Sequence, residues 1–129
     1  MKTVLLVDYD PQRIDAVRRA LASSGVRVLL ATDAEAGRRV FHRVLPDLTL
    51  IQDLIPVTRG YQLCAELKRS AQGAVRPIVL FAFTRNGGRH RVIASGCDAW
   101  VEAPCDEGVL VATVGRFLPE VSLAAASPA

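Results

Sequence analysis

The sequence lacks long hydrophobic runs and a paired set of cysteines. No apolar stretch of the 129 residues approaches the roughly 20 residues that cross a bilayer, so no membrane association is expected. The three cysteines, Cys64, Cys97 and Cys105, are odd in number and widely spaced, which argues against a disulfide framework. Free thiols and the lack of an apolar span together predict a cytoplasmic protein.

The sequence also has few aromatic residues and no concentrated charge. Aromatic side chains make up 5% of the chain, and the net charge of +3 comes from arginines that are spread along its length. Such spacing is typical of solvated helix faces, and no helix-turn-helix signature is present, so nucleic-acid binding is not expected. With 50% hydrophobic and 22% charged residues, the composition is that of one globular domain.

What the chain does contain is an alternation of short apolar runs and amphipathic segments. The runs are nearly continuous in Val, Ile, Leu or Phe, as expected for strands that are buried on both faces of a parallel sheet. The predicted strands are 3–7, 26–31, 48–51, 78–83 and 99–101.

Helix start signals lie between these runs. Asp10 followed by Pro11 predicts an N-cap with proline at the first helical position, and Asp106 predicts the cap of the last helix. Thr32 and Glu35 have capping-box spacing. The alternation predicts an α/β fold, a doubly wound five-stranded parallel sheet with five helices, over residues 1–119. Residues 120–129, rich in Ala, Ser and Pro, are expected to form a flexible tail.

Ligands of such sheets bind at the carboxyl ends of the strands. The residues expected at this rim are Asp8, Tyr9, Asp10, Gln52, Asp53, Ala82, Phe83, Glu102 and Ala103.

Three rim segments resemble the receiver domains of response regulators. Residues 7–11 resemble the acidic opening of that CheY-like, flavodoxin-like family, and residues 46–60 resemble the segment around its phosphorylated aspartate. Residues 96–104 are similar to the stretch that carries its lysine before a proline. The three segments occur in the family's order and span nearly the whole chain, which implies a receiver module in two-component or phosphorelay signal transduction.

The same resemblance shows where the phosphorylation chemistry is missing. In the family, two adjacent acids after the first strand help to hold Mg²⁺, and the matching residues here are Asp8 and Tyr9. The family's aspartate nucleophile, fourth-strand hydroxyl and lysine match Gln52, Ala82 and Ala103. A carboxamide cannot form an acyl phosphate, and the transferred group needs a metal and a cation to stabilise its charge. The sequence therefore predicts a pseudo-receiver, not an enzyme, with no cofactor or metal and with a protein partner.

Asp53 keeps an alternative open. An alignment slipped by one residue would make it the phosphoacceptor, and Asp8 and Asp53 would then be the candidate ligands of Mg²⁺. A shift of one residue along a strand points the side chain to the opposite face, however, and it would break the spacing to Pro56 and Gly60.

Two other features suggest binding surfaces. The resemblance implies a partner surface on the fifth strand, where Trp100 is predicted to anchor a protein partner or a second copy of the chain as a homodimer. Alternatively Trp100 simply packs at the edge of the sheet. The glycine-rich basic loop 84–91, with Arg85, Arg89 and Arg91, suggests anion or nucleotide binding, although it lacks phosphate-loop spacing.

Overall fold

The computed structural model describes residues 1–119. The five predicted strands are confirmed, and no strand end is shifted by more than one residue. The strands are β1 (Thr3–Val7), β2 (Arg27–Ala31), β3 (Leu48–Gln52), β4 (Ile78–Ala82) and β5 (Ala99–Glu102). The helices are α1 (Pro11–Leu21), α2 (Ala34–Val44), α3 (Gly60–Arg69), α4 (Ala71–Ala74), α5 (Arg89–Ala94) and α6 (Glu107–Phe117).

All the strands pair in parallel, in the order β2-β1-β3-β4-β5. Val7 pairs with Ala31 on one side and with Ile51 on the other, and Ala82 pairs with Glu102. The carboxyl ends of the strands therefore lie along one edge of the sheet. The prediction of a doubly wound parallel sheet is confirmed.

The number of helices was predicted wrongly, since the described residues form six helices rather than five. The extra helix, α4, is four residues long and is capped by Ser70, whose hydroxyl accepts a hydrogen bond from the Gly73 N–H at 3.0 Å. So short a helix contains a single turn, so no apolar periodicity could reveal it.

Short side-chain caps set the starts of α1, α2 and α6. The Asp10 carboxylate accepts from the Arg13 N–H at 3.1 Å, and Asp106 accepts from the Val109 N–H at 2.8 Å, as their positions in the sequence predicted. At the second helix the cap is Asp33 rather than Thr32, with 2.8 Å from its carboxylate to the Ala36 N–H.

The core has two layers, one on each face of the sheet. On one face α1 and α6 cover Val4, Leu6, Leu50 and Phe81. On the other face α2, α3 and α5 cover Leu5, Val7, Ile51 and Leu80. Successive strand residues thus point to opposite layers, which decides the direction of every rim side chain.

The predicted flexible tail, 120–129, lies outside the described residues. Within residues 1–119, no helix is long and apolar enough to span a membrane.

Candidate functional site

A partly open cavity of about 120 Å³ lies at the carboxyl ends of β1, β3 and β4, between α1 and α6. Three of the predicted rim residues, Asp8, Gln52 and Ala103, line it together. Its other walls are mostly apolar and include Val17 and Leu110. The fold therefore brings the positions that match the family's metal ligand, nucleophile and lysine to one place.

Asp8 is buried and its charge is balanced within the chain. The Arg13 guanidinium donates to both carboxylate oxygens, with 2.8 Å from Nη2 to Oδ1 and 2.9 Å from Nε to Oδ2. The backbone N–H groups of Tyr9 and Asp10 donate to Oδ1 at 2.7 and 3.1 Å. The hydrogen bond to Asp8 raises the pKa of Arg13 above its already high value. Both oxygens of Asp8 are thus engaged in a charge-assisted, bidentate pair.

Gln52 lies on the cavity side of β3 and is 4% exposed. Its Oε1 is buried and accepts no hydrogen bond from any described residue. Ala103, beside it in the cavity lining, is also buried, and its N–H donates to the Ala82 carbonyl at 2.9 Å. The cavity lining therefore combines a neutral carboxamide, whose oxygen is buried, with a methyl group.

Asp53 points away from this cavity, toward the start of α3. Its carboxylate pairs with the Arg59 guanidinium and accepts from the Tyr61 N–H at 2.9 Å, and its carbonyl accepts from the Gly60 N–H at 2.8 Å. Asp53 is 3% exposed. Its contacts are those of a carboxylate that fixes the loop between β3 and α3.

Tyr9 and Ala82 are not part of the cavity lining. Tyr9 is 49% exposed, and its ring lies 5.4 Å from the Arg13 guanidinium. Ala82 is buried in the layer under α2, α3 and α5, so it faces the other side of the sheet from Gln52.

Trp100 is half-buried on the edge strand β5 and packs against the core layer under α5. The Arg89 guanidinium lies over its ring, 5.5 Å from the centroid. Tyr61 lies between two arginines in a similar way, with Arg59 at 5.4 Å and Arg91 at 6.0 Å. We call Arg89, Arg91, Tyr61 and Trp100 the arginine–aromatic surface.

The predicted basic loop is only partly a loop, because Arg89 and Arg91 belong to α5. Gly87 and Gly88 before the helix have positive φ angles of 110° and 84°, which glycine adopts without strain. Glu102 accepts from the Thr84 N–H at 2.8 Å and from its hydroxyl, and these bonds lower the pKa of Glu102. Thr84, the first residue of the loop, is therefore hydrogen-bonded to Glu102 at the end of β5.

Sequence reasoning missed the roles of Arg13 and Arg59, the cations that neutralise Asp8 and Asp53. An energetic argument from the sequence could have identified both arginines. An acid predicted at a buried strand end needs a cation nearby, and each arginine lies within six residues of its acid. Within residues 1–119, no three His, Cys, Asp or Glu side chains are grouped so as to hold a metal ion.

Comparison with known proteins supports the resemblance. The sequence model of the response regulator receiver domain matches residues 4–115. Response regulator Rre1 of Synechocystis is 32% identical over 118 residues, which cover 90% of this chain and 51% of Rre1. The chain spans about half the length of several curated relatives that it matches.

Solved structures agree in fold. The chemotaxis response regulator CheY4 of Vibrio cholerae has a TM-score of 0.83 at 21% identity, covering 91% of this chain and 98% of that one. The receiver domain of the sensor histidine kinase PA1611 of Pseudomonas aeruginosa, with a magnesium ion in its active-site cleft, has a TM-score of 0.82 at 24% identity. This match covers 92% of this chain and 98% of the PA1611 receiver domain. At these identities the likeness confirms the fold.

Proposed function

The chain belongs to the response regulator receiver domain family, and from this premise we propose that it is a receiver that signals through protein contacts without being phosphorylated. Receiver domains are signalling modules of two-component systems that interact with partner proteins, and they are generally not enzymes. The proposal concerns what this member does with its altered rim.

The observation that carries the proposal is the Asp8–Arg13 pair. Receiver domains bind Mg²⁺ in the active site, and the PA1611 receiver holds one in its cleft. Magnesium requires hard oxygen ligands in near-octahedral geometry. Here both Asp8 oxygens already accept from a guanidinium, Tyr9 stands at the second acid position, and Gln52 offers only an amide oxygen. These residues do not fit Mg²⁺.

The other family positions support the same proposal. Gln52 is not a nucleophile for phosphorus, because a carboxamide has no anionic oxygen. Ala103 carries a methyl group where the family's ammonium would stabilise the phosphoryl oxygens, and Ala82 has no hydroxyl to offer. We assign Asp53 a structural role, because its carboxylate is already bound by Arg59 and by the Tyr61 N–H.

An amide NMR titration tests the loss of phosphorylation. We expect Mg²⁺ followed by beryllofluoride, a mimic of the phosphoryl group, to leave the spectrum of the native chain unchanged. Shifts centred on Asp8 and Asp53 would overturn the proposal and make Asp53 the phosphoacceptor. Incubation with acetyl phosphate and intact-mass measurement gives a second readout, in which the added mass of a phosphoryl group would contradict the proposal.

We place the partner contact on the arginine–aromatic surface. Its aromatic rings supply apolar area, while Arg89 and Arg91 make it cationic, so a protein segment with acidic side chains fits it best. A two-fold homodimer through this surface would bring the same arginines face to face, and this repulsion disfavours that alternative.

Trp100 is the only tryptophan of the chain, so its fluorescence reports on this surface. We expect a glutamate-rich peptide to change this fluorescence in a saturable way and a lysine-rich peptide of the same length to leave it unchanged. In Arg89→Ala the affinity should fall about threefold, since one exposed ion pair between this arginine and the peptide is lost. The exposed Arg18→Ala on α1 is the matched control.

Equal responses to the two peptides, or no loss in Arg89→Ala, would contradict an acidic partner on this surface. A response to inorganic phosphate or a nucleotide as strong as that to the acidic peptide would favour the anion-binding alternative instead.

A further inference from the structure

The ion pair between Asp53 and Arg59 reaches the arginine–aromatic surface. We propose that Asp53 determines how much positive charge that surface offers to an acidic partner, because it is the internal counter-ion of a third arginine there. This inference rests on the proposed function, since it concerns the partner contact that we place on the same surface.

Arg59 lies beside the residues of this surface. Its guanidinium lies over the Tyr61 ring, 5.4 Å from the centroid, and the Arg91 guanidinium lies 6.0 Å from the same centroid. The Arg59 side chain is 42% exposed, so a carboxylate of a partner can approach it from solvent. Three arginines therefore surround the two aromatic rings of Tyr61 and Trp100.

The three arginines differ in how their charge is balanced. Arg89 and Arg91 are exposed, and within residues 1–119 neither forms an ion pair with a carboxylate. The Arg59 guanidinium instead donates to the almost fully buried carboxylate of Asp53. A partner thus meets two unpaired cations and a third whose charge is neutralised from inside the fold.

Asp53 holds the Arg59 guanidinium by a single contact. In the part of the chain that the structure describes, this carboxylate is the one acceptor of the guanidinium, and the buried Arg59 Nε has none. The other carboxylate oxygen, Oδ1, accepts from the Tyr61 N–H at 2.9 Å. An asparagine keeps an acceptor for that N–H and loses the charge, so Asp53→Asn should preserve the start of α3 while it releases Arg59.

Titration of the full chain with the glutamate-rich peptide, followed by the fluorescence of Trp100, tests the inference. We expect Asp53→Asn to bind this peptide about threefold more tightly than the native chain does, because one more exposed ion pair can form. A higher salt concentration should remove most of the gain, since salt screens exposed charges. The lysine-rich peptide should leave the fluorescence of both proteins unchanged.

Two further variants separate this effect from a general change in charge. Asp8→Asn also removes a buried carboxylate and releases an arginine, but Arg13 lies at the cavity between α1 and α6, so the affinity should equal that of the native chain. In Asp53→Asn combined with Arg59→Gln, the affinity should return to the native value, because the charge of the released arginine is gone. A gain that persists in this double variant would overturn the inference, since Arg59 would not be its cause.

Circular dichroism and thermal melting check that each variant is folded, and Asp53→Ser replaces Asp53→Asn if the amide prevents folding. Equal affinity of the native chain and Asp53→Asn would overturn the inference and leave the partner surface in place. An equal gain in Asp8→Asn would do the same. Absence of any response of the native chain to the glutamate-rich peptide would contradict the partner surface itself, and the inference with it.

Discussion

At the scale of single residues, two buried carboxylates at the strand ends depend on arginines from the segments that follow them. Asp8 is paired with Arg13 and Asp53 with Arg59. Both carboxylates are almost fully buried, whereas both arginines keep part of their side chains in solvent. Removing the cation would leave a buried charge uncompensated, which is the costly way to break such a pair.

We expect Arg13→Ala to lower the free energy of unfolding by about 2 kcal/mol. This figure lies below the usual cost for a fully buried pair because the Arg13 side chain is 39% exposed and partly screened by solvent. Urea unfolding followed by circular dichroism measures it.

The charge on Asp8 is the cause of that expected loss, and a double-mutant cycle checks it. In the Asp8→Asn background, Arg13→Ala should cost much less, because no buried charge is left unpaired. An equal cost in both backgrounds would mean that Arg13 acts through its apolar stem instead. Arg18→Ala, exposed on the same helix, should change stability little.

The cysteines give a second prediction at this scale. Burial raises the pKa of the Cys64 thiol to about 12, and it also raises the pKa of the half-buried Cys97 and Cys105. The thiolate is the reactive form, so at about pH 8 Cys64 should be alkylated only when the domain opens. Iodoacetamide labelling followed by peptide mass spectrometry should find Cys105 modified well before Cys64. Equal labelling rates in the folded protein would contradict the burial of Cys64.

At the scale of elements, the approach of α3 to β3 explains why glycine stands at position 60. A Cβ added there would lie 2.5 Å from the Gln52 carbonyl oxygen and 2.7 Å from the Asp53 Cα, which are backbone atoms that cannot move aside cheaply. The start of α3 is therefore held directly against the end of β3. The loop that carries Asp53 is fixed by this contact.

Gly60→Ala should lower the free energy of unfolding by about 3 kcal/mol, because the added methyl group would overlap backbone atoms of Gln52 and Asp53. Gly108→Ala in α6 is the matched control. Its Cβ would meet only the Asp106 carboxylate at 3.4 Å, and a helical alanine should raise stability by about 0.5 kcal/mol. Urea unfolding of both variants measures the difference. Similar effects would mean that α3 can shift away from the sheet.

The elements also show how far the sequence could be interpreted. The runs of β1, β3 and β4 were visible because both faces of these strands are buried, and Asp10 and Asp106 marked helix starts by local hydrogen bonds alone. The short helix α4 was not visible, since a single turn has no period. Arg13 and Arg59 were missed as charge partners because pairing depends on side-chain directions in three dimensions. The residues at the rim could be predicted from the topology, whereas the hydrogen bonds and ion pairs that they form could not.

At the scale of the whole molecule, the receiver scaffold is intact while the residues that match its chemistry have changed. Parallel strand ends still bring positions 8, 52 and 103 around one cavity. Function therefore depends on the side chains placed on this scaffold and not on the scaffold itself.

Because the scaffold is intact and only the side chains differ, we expect that substitutions can make the domain phosphorylatable. A variant with Tyr9→Asp, Gln52→Asp, Ala82→Thr and Ala103→Lys should respond to Mg²⁺ and beryllofluoride in the NMR titration, whereas Gln52→Asp alone should not. Adding Arg13→Ala should tighten Mg²⁺ binding about tenfold, equal to about 1.4 kcal/mol, by freeing Asp8. If the single Gln52→Asp variant responds, the present rim already supplies the metal site, and the argument that the Asp8–Arg13 pair excludes Mg²⁺ is wrong.

The Asp8–Arg13 pair also affects which single substitutions the rim can accept. Gln52→Asp alone would add a second buried carboxylate beside a cation that is already engaged, and Tyr9→Asp alone would add another acid at the same strand end. Each of these single substitutions is therefore expected to cost stability, while phosphorylation is expected only when nucleophile, metal site and lysine are all present. A sequence that changes one residue at a time would meet the cost before any gain, so the internal ion pair acts as a barrier between this rim and a phosphorylatable one.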